Sequence, residues 1–261
     1  MSVLFKRFIS AFFLLTAFIF AFFSLENSFF LILTSVISFI GLYELGNLLK
    51  LSKIKLFFFW SIPLISYLLF ILDYYNFNFI IYISSLFWIL IAIFSVIKSK
   101  IFFKFIDFLY GLIIIFGLFV STIYLFSFDK SLLLISLLIV WIADIFAYFA
   151  GKFFGKRKLS ASISPGKTIE GVYGAFVANL IFVLVLSSFY NFSLFILIFL
   201  SLIIIPLSIF GDLFESQLKR NANIKDSGSL LPGHGGILDR VDGLCSTLPI
   251  VASLSLSGFV L

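Results

Sequence analysis

Residues 131–150 read SLLLISLLIVWIADIFAYFA, and Asp144 is the one charged side chain among them. A bilayer core about 30 Å thick is crossed by about 20 apolar residues in a helix. The stretch is apolar on every side instead of alternating apolar and polar residues, which favours a helix over a strand of a β-barrel. It therefore predicts a transmembrane helix that carries one carboxylate.

The rest of the chain follows the same pattern. Of its 261 residues, 62% are hydrophobic and 11% are charged, whereas soluble domains carry about 25% charged residues. The composition excludes disordered, collagen-like and disulfide-rich proteins, and the single cysteine, Cys245, has no partner for an intrachain disulfide. We predict an all-α, polytopic integral membrane protein with nine transmembrane helices. The predicted spans are residues 8–24, 28–48, 56–72, 78–97, 108–127, 131–150, 171–189, 193–211 and 243–261.

The basic residues predict the orientation of these spans. Lysine and arginine are enriched in cytoplasmic loops, and 17 of the 18 fall in alternate segments, with Lys130 on the other side. This pattern predicts a cytoplasmic N-terminus and an outside C-terminus, and we expect the protein to reside in the inner (cytoplasmic) membrane. Lys6 and Arg7 would also suit a signal peptide, but no small-x-small cleavage site follows, so we expect residues 8–24 to be a retained helix.

Charge is concentrated in the second half of the chain. The stretch 144–242 holds 16 of the 30 charged side chains, and ionisable residues at membrane depth are functional candidates. We therefore predict an N-terminal transmembrane scaffold over residues 1–130 and a catalytic region over residues 131–261. The cytoplasmic loops 151–170 and 212–242 of the second region are expected to carry the active site.

Two carboxylates lie within the predicted spans. Glu44, near the cytoplasmic end of the second span, is interpreted as a snorkelling or interfacial carboxylate. Asp144 and Tyr148 are four residues apart and share one helix face. Asp144 is either a buried carboxylate satisfied by a hydroxyl or a lysine, or part of a functional site, and its own surroundings in the sequence leave both interpretations open.

The loop after residue 150 contains a segment suited to binding phosphate. Residues 164–168 read SPGKT and predict a turn at Pro165 and Gly166, after which Thr168 opens a helix. Backbone N–H groups and the dipole at a helix start favour phosphate, and Lys167 adds a positive charge. Four basic residues earlier in the loop either keep it cytoplasmic or attract anionic lipid headgroups.

The ends of the last two predicted spans carry acidic residues. If the eighth helix continues past residue 211, four polar residues share one stripe: Asp212, Glu215, Ser216 and Lys219. Asp239 and Asp242 begin the last helix, and together with Asp212 they offer hard oxygen ligands for Mg²⁺. The one histidine, His234, lies in a glycine-rich loop, and one histidine is too few for a typical zinc site.

The longest polar stretch carries a family resemblance. Residues 216–242 read SQLKRNANIKDSGSLLPGHGGILDRVD and resemble the signature of the phosphatidate cytidylyltransferase, or CDP-diacylglycerol synthase, family. Residues 144–148, 164–168 and 211–216 look like the family's other blocks in the same order. Ile169 departs from the pattern, because the family often has tryptophan there.

The resemblance implies a reaction in which CTP and phosphatidic acid give CDP-diacylglycerol and pyrophosphate, with Mg²⁺ held by Asp212 and Asp239. A second, monovalent cation and a homodimer are both compatible with it; membrane lipids are expected partners and nucleic acid is not. The expected catalytic residues are Lys219, Arg220, Lys225, Asp226, His234, Arg240 and Asp242. The expected substrate-binding residues are Asp144, Tyr148, Ser164, Lys167, Thr168, Ser216, Gly235 and Gly236.

Some alternatives remain at this point. His234 either donates a proton to the leaving pyrophosphate or shapes the glycine-rich loop. A CDP-alcohol phosphotransferase would need an Ala-Arg pair and later carboxylates after Asp242 and Gly243, which the sequence lacks. A CTP-dependent lipid kinase is a closer chemical rival. A transporter is disfavoured because the charges cluster at predicted cytoplasmic helix ends instead of along the bilayer midplane.

Overall fold

The structure is a computed structural model of the 261-residue chain. It describes residues 12, 15–23, 27–53, 56–57, 61, 65, 68, 78–96, 111–189, 192–228, 230 and 235–260.

The described residues are mostly helical. Residues 15–23 are helical, and a π-helical turn, Leu112–Phe116, leads directly into the helix that begins at Gly117. The helices are α1 (Asn27–Leu48), α2 (Asn78–Val96), α3 (Gly117–Phe128), α4 (Lys130–Phe154), α5 (Ile169–Ser187), α6 (Leu194–Asn221) and α7 (Leu238–Leu256).

Several of these helices are suited to a membrane. Four are long and apolar enough to cross one, judged by length and composition: Phe29–Leu48, Lys130–Phe154, Ile169–Ser187 and Leu194–Asn221. Shorter apolar helices cover Asn78–Ile93 and Ile113–Phe128. The chain is thus consistent with a polytopic membrane protein. The count of nine spans and the orientation of the termini stay predictions, and most of the predicted span 56–72 lies outside the described residues.

Two helices extend the predicted spans toward the polar segments. α6 continues past residue 211 to Asn221, and α7 begins at Leu238, ahead of the predicted start at residue 243. The continued α6 agrees with the predicted stripe of polar residues. As a result, the acidic residues that follow the eighth span stand on a helix whose apolar part anchors them.

The sequence predicts an all-α fold, but the structure also contains a pair of β-strands. An antiparallel hairpin of β1 (Lys158–Ser160) and β2 (Ser164–Thr168) lies between α4 and α5. The predicted turn at Pro165 and Gly166 is wrong, because both residues lie in β2 and the turn covers residues 161–163. The register is irregular along this stretch of β2, and a bulged edge strand accommodates proline, which has no N–H to donate.

The start of α5 is capped as the sequence predicted. Thr168 is the N-cap, and its hydroxyl accepts a hydrogen bond from Gly171 N at 3.0 Å. Gly171 also lies against the Ala147 carbonyl, and Gly174 against the Ala150 methyl group, so α5 packs closely on α4. Small residues allow this approach of two backbones, and it fixes the hairpin beside the end of α4.

α6 and α7 are held together in the same way. A side chain on Gly211 would collide with the Asp242 carbonyl and the Ser246 hydroxyl. Ser246 Oγ donates to the Leu207 carbonyl at 2.8 Å, which joins the two helices by a hydrogen bond. This close packing sets Asp212, the residue after Gly211, beside the first turns of α7.

The N-terminal helices support α7 from its other side. α7 packs against α1, α2 and α3, and Ser85 Oγ of α2 donates to the Pro249 carbonyl of α7 at 2.7 Å. The division into a scaffold, 1–130, and a catalytic region, 131–261, stays a prediction.

Candidate active site

The charged residues of the second half gather at one place in the fold. The C-terminal turns of α6, the first turns of α7, the hairpin and α4 all contribute side chains there. Two groups can be distinguished by their burial, one centred on Lys219 and one on Asp212.

The first group is the Lys219 cluster, formed by Lys219, Glu215 and Asp239. Lys219 Nζ lies 2.8 Å from Glu215 Oε2 and 2.7 Å from Asp239 Oδ1. The three side chains are 12%, 5% and 8% exposed. Removing charges from water is costly, so separating Lys219 from either carboxylate would leave a buried charge without its partner. Lys219 is therefore fixed between α6 and α7.

Asp239 also anchors the loop before α7. Its Oδ2 accepts backbone hydrogen bonds from Ser227 N at 3.0 Å and Gly236 N at 2.8 Å. Gly235 has a φ of +81°, which favours glycine, and a side chain there would approach the Asp239 carboxylate. One carboxylate thus fixes both ends of the glycine-rich loop, while His234 lies outside the described residues.

The second group is more open and centres on the Lys167–Asp212 pair. Lys167 Nζ lies 2.6 Å from Asp212 Oδ2, with side chains 23% and 32% exposed. Ser216 Oγ donates to Asp212 Oδ1 at 3.2 Å, one turn further along α6. A second link from α6 to the hairpin is Arg220 Nε, which donates to the Ile163 carbonyl at 3.3 Å. These contacts place β2 beside α6.

Two more carboxylates stand near this pair. Asp144 is close enough to Asp212, Lys167 and Arg240 for their charges to act on it. Asp242 interacts in the same way with Asp212 and with Asp144. Three carboxylates and two cations therefore share one region, drawn from four separate segments of the chain.

The remaining predicted site residues lie in different surroundings. Tyr148 is 62% exposed, with its ring below the Lys152 ammonium group; both Tyr148 and Asp144 are described, and no hydrogen bond joins them. Lys225 and Asp226 are exposed in the loop after α6. Ser164 opens β2 and pairs with Ser160 in the hairpin.

Glu44 corrects the interpretation of the sequence. It is not a snorkelling or interfacial carboxylate, because it is 2% exposed and accepts three hydrogen bonds from the segment before α7. The donors are Ser227 Oγ at 2.9 Å, Ile237 N at 3.1 Å and Leu238 N at 2.8 Å. The signal that could have found it is its position inside an apolar span, the same signal that singled out Asp144.

Glu170 is a second carboxylate whose contacts the sequence did not predict. It accepts backbone hydrogen bonds from Lys156 N at 3.0 Å and Arg157 N at 3.1 Å, and pairs with Arg157 Nε at 2.9 Å. The hydrogen bond and the attraction to Glu170 raise the pKa of the Arg157 guanidinium. Glu170 thereby links the residues that follow α4 to the start of α5, at the two ends of the hairpin.

The donor set can be tested against Mg²⁺. Among the residues that the structure describes, no three acidic, histidine or cysteine side chains form a ready-made metal site. Mg²⁺, however, usually binds through one or two carboxylates together with waters and substrate phosphates. Asp212 offers partly exposed oxygens beside two other carboxylates, whereas the oxygens of Asp239 already accept several N–H groups. The residues thus fit a Mg²⁺ that is shared with phosphate.

The protein combines apolar helices of membrane-spanning length with one group of carboxylates and cations. It is therefore of the helical membrane-protein type and has a charged site. The chain belongs to the cytidylyltransferase family, whose model matches residues 5–257. The resemblance seen in residues 216–242 is thereby confirmed.

Curated relatives agree with this assignment. The chain is 48% identical over 122 residues to the phosphatidate cytidylyltransferase of Staphylococcus haemolyticus, covering 46% of each protein. It is 44% identical over 126 residues to that of Haemophilus influenzae, covering 45% of this chain and 43% of the relative. With the Pseudomonas aeruginosa protein it shares 43% identity over 128 residues, 48% of this chain and 47% of the relative. The matches span about half the length of these relatives.

Proposed function

We propose that the protein is a phosphatidate cytidylyltransferase, which transfers the cytidylyl group of CTP to phosphatidic acid and releases pyrophosphate. The observation that carries the proposal is the grouping of Asp144, Asp212 and Asp242 with Lys167 and Arg240 in a member of the cytidylyltransferase family. Cations bind phosphates, and carboxylates can bind the metal that accompanies a nucleotide.

The proposed reaction is a direct displacement. A phosphate oxygen of phosphatidic acid forms a bond to the α-phosphorus of CTP. The bond from that phosphorus to the bridging oxygen breaks, and pyrophosphate leaves with the electron pair. The attacking oxygen is already anionic, so no strong general base is required. Catalysis then depends on positioning the two substrates and on stabilising the charge that shifts between them.

Lys167 is the cation best placed to bind a phosphate. Its ammonium group is partly exposed and pairs with Asp212, so a phosphate oxygen can approach it from solvent. Arg240 and Arg220 are exposed near the same residues, and Lys225 is exposed in the loop after α6. All three would neutralise further phosphate charge. Lys219 is enclosed by two carboxylates, and we assign it to holding α6 and α7 in place instead of binding phosphate.

Asp212 and Asp239 remain the proposed ligands of Mg²⁺, with Asp242 as a third candidate. The ion would supply charge neutralisation at the phosphates. Metal binding at Asp239 would compete with Lys219 and with the amides of Ser227 and Gly236 that share its oxygens. Asp212, with its more exposed side chain, is the stronger of the two candidates.

The acyl chains of phosphatidic acid would lie along apolar helix surfaces. α4 exposes Ile145, Phe146 and Phe149 on the turns around Asp144, and α5 exposes Tyr173 and Val177. A lipid in the bilayer could place its headgroup at the charged residues and its chains against these side chains. We propose that the site faces the cytoplasm, where CTP is available, and that the protein resides in the inner membrane.

The decisive experiment is a turnover assay on the purified protein in detergent micelles. CTP and phosphatidic acid are added with and without Mg²⁺, and both pyrophosphate and CDP-diacylglycerol are measured. We expect both products in equal amounts and only with Mg²⁺. A CTP-dependent lipid kinase would instead phosphorylate diacylglycerol, releasing CDP and no pyrophosphate. Folded protein that releases no pyrophosphate would contradict the proposal.

A further inference from the structure

Glu44 connects the N-terminal helices to the active site through three hydrogen bonds. It lies in α1, and its carboxylate reaches three donors that are 183 to 194 residues further along the chain. Ser227 Oγ and Leu238 N share Oε2, and Ile237 N donates to Oε1. Both oxygens of a buried carboxylate therefore accept hydrogen bonds from the residues that precede and open α7, Ser227, Ile237 and Leu238.

Two glycines show how closely this segment surrounds Glu44. A side chain at Gly228 or at Gly236 would overlap the Glu44 carboxylate. The Gly236 position would also collide with Ser227 Oγ. The backbone can approach the carboxylate to this distance because neither residue has a Cβ atom. The glycines are thus explained by Glu44 and require no ligand.

The hydrogen bonds from Ile237 and Leu238 supply the missing cap of α7. The first N–H groups of a helix have no partner within the helix, and the N-cap residue of α7, Ile237, has no side-chain oxygen to accept them. A carboxylate at this position satisfies those donors and interacts favourably with the helix dipole. α7 is therefore capped by a residue from α1.

Ser227 couples this cap to the Lys219 cluster. Its hydroxyl donates to Glu44 while its backbone N–H donates to Asp239 Oδ2 at 3.0 Å. Gly236 is shared as well, since it packs on Glu44 and donates to Asp239. The position of Glu44 thereby influences where the first turn of α7 places Asp239, Arg240 and Asp242.

We propose that Glu44 is a positioning residue of the active site, which acts through residues 227, 228 and 236–238 and touches neither substrate. The inference rests on the proposed cytidylyltransferase function for its kinetic consequence. Glu44→Gln is the informative variant, because it keeps the size of the side chain but directs an NH₂ group at one of the three donors.

The test compares Glu44→Gln with Thr34→Val in the full chain. Thr34 is a buried polar residue of the same helix whose hydroxyl bonds only to the carbonyls of Phe30 and Leu31 within α1. Activity is expressed per folded molecule. We expect kcat to fall about 10-fold or more in Glu44→Gln, the scale seen when a residue that orients a metal ligand is lost. The KM for CTP should change less than about threefold. Thr34→Val is expected to retain its kcat.

Hydrogen–deuterium exchange gives a readout that does not depend on activity. The amides of residues 237 and 238 should exchange at least about 10-fold faster in Glu44→Gln, because they lose a buried acceptor. Amides at the start of α4, capped by Asp129, should be unchanged. If Glu44→Gln does not fold, Ser227→Ala removes one of the three hydrogen bonds and should produce the same two changes to a smaller extent.

The outcomes separate the two proposals. Unchanged exchange at the amides of residues 237 and 238 would overturn the role of Glu44, and so would faster exchange with an unaltered kcat per folded molecule. Equal losses of kcat in Glu44→Gln and Thr34→Val would reduce Glu44 to a contribution to stability. Wild-type protein that exchanges as expected but forms no CDP-diacylglycerol would contradict the proposed function and leave the capping of α7 supported.

Discussion

The Lys219 cluster and the Lys167–Asp212 pair use the same kinds of charge in different ways. Lys219 is 12% exposed and contacts two carboxylates, each itself nearly buried. Lys167 contacts one carboxylate in a setting where both side chains reach solvent. Asp212 and Lys219 stand on the same helix, two turns apart. Burial, and not residue type, distinguishes the two groups.

This difference assigns them different tasks. A buried and fully compensated lysine loses much if a partner leaves, so the Lys219 cluster keeps α6 and α7 in register. A partly exposed ion pair contributes little to stability, and its lysine can exchange the carboxylate for a phosphate at small cost. The open pair is therefore suited to ligands, whereas Lys219 and Glu215 of the closed cluster are suited to holding the helices in place. Substitutions should affect the two groups differently.

Lys219→Met should give the largest effect, a loss of stability of the folded protein. It leaves Glu215 and Asp239 buried without their shared cation, and breaking a buried ion pair costs about 3–5 kcal/mol. Thermal unfolding in detergent should show a strongly lowered melting temperature. Lys225→Met, at an exposed position in the adjoining loop, is the control and should unfold like wild type. A Lys219→Met protein as stable as this control would contradict the closed character of the cluster.

Asp212→Asn should affect activity instead. The substitution keeps the shape of the side chain and removes the charge that pairs with Lys167 and that would hold Mg²⁺. We expect CDP-diacylglycerol formation to fall by about 100-fold or more, the scale for loss of a group that stabilises transition-state charge. The melting temperature should change little, because the pair is partly exposed. Retained activity would remove Asp212 from the proposed metal site.

Lys167→Met should have a smaller, substrate-dependent effect. If the ammonium group binds a phosphate of CTP or of the lipid, its loss should raise the KM for one of them about 10-fold, the scale of one charge-assisted hydrogen bond. Lys158→Met in β1, which is exposed and on the same hairpin, controls for general loss of positive charge. Equal kinetic changes in both variants would indicate a diffuse electrostatic effect and not a phosphate contact at Lys167.

Much of this arrangement could be predicted from local sequence. Apolar runs predict helices because the length of a hydrophobic run is a local property, and the Thr168 cap and the polar stripe of α6 also depend on nearby residues. The hairpin was missed because the SPGKT segment forms a bulged strand whose pairing depends on residues across a turn. Pro165 and Gly166 are individually typical of turns, and tertiary context overrides that preference.

The role of Glu44 could not be predicted in this way. Its donors lie more than 180 residues away, and neither its neighbours in α1 nor its position near a helix end indicates them. The same holds for the Lys219 cluster, where Asp239 is brought to α6 by the packing of α6 against α7. The sequence shows which charged residues are available, but helix packing determines which of them pair.

Glu170→Gln should give the smallest effect. The salt dependence of its melting temperature tests whether burial is what separates exposed ion pairs from the Lys219 cluster. Glu170 pairs with Arg157, whose side chain is 63% exposed, so salt screens this interaction. Glutamine still accepts a backbone hydrogen bond, and activity should fall by less than about twofold, as expected for an exposed pair. The melting-temperature difference from wild type should shrink as salt is raised. The lowered melting temperature of Lys219→Met should persist in high salt, since its charges are buried. If salt abolished the melting-temperature difference of both variants, burial would not be what separates the two groups.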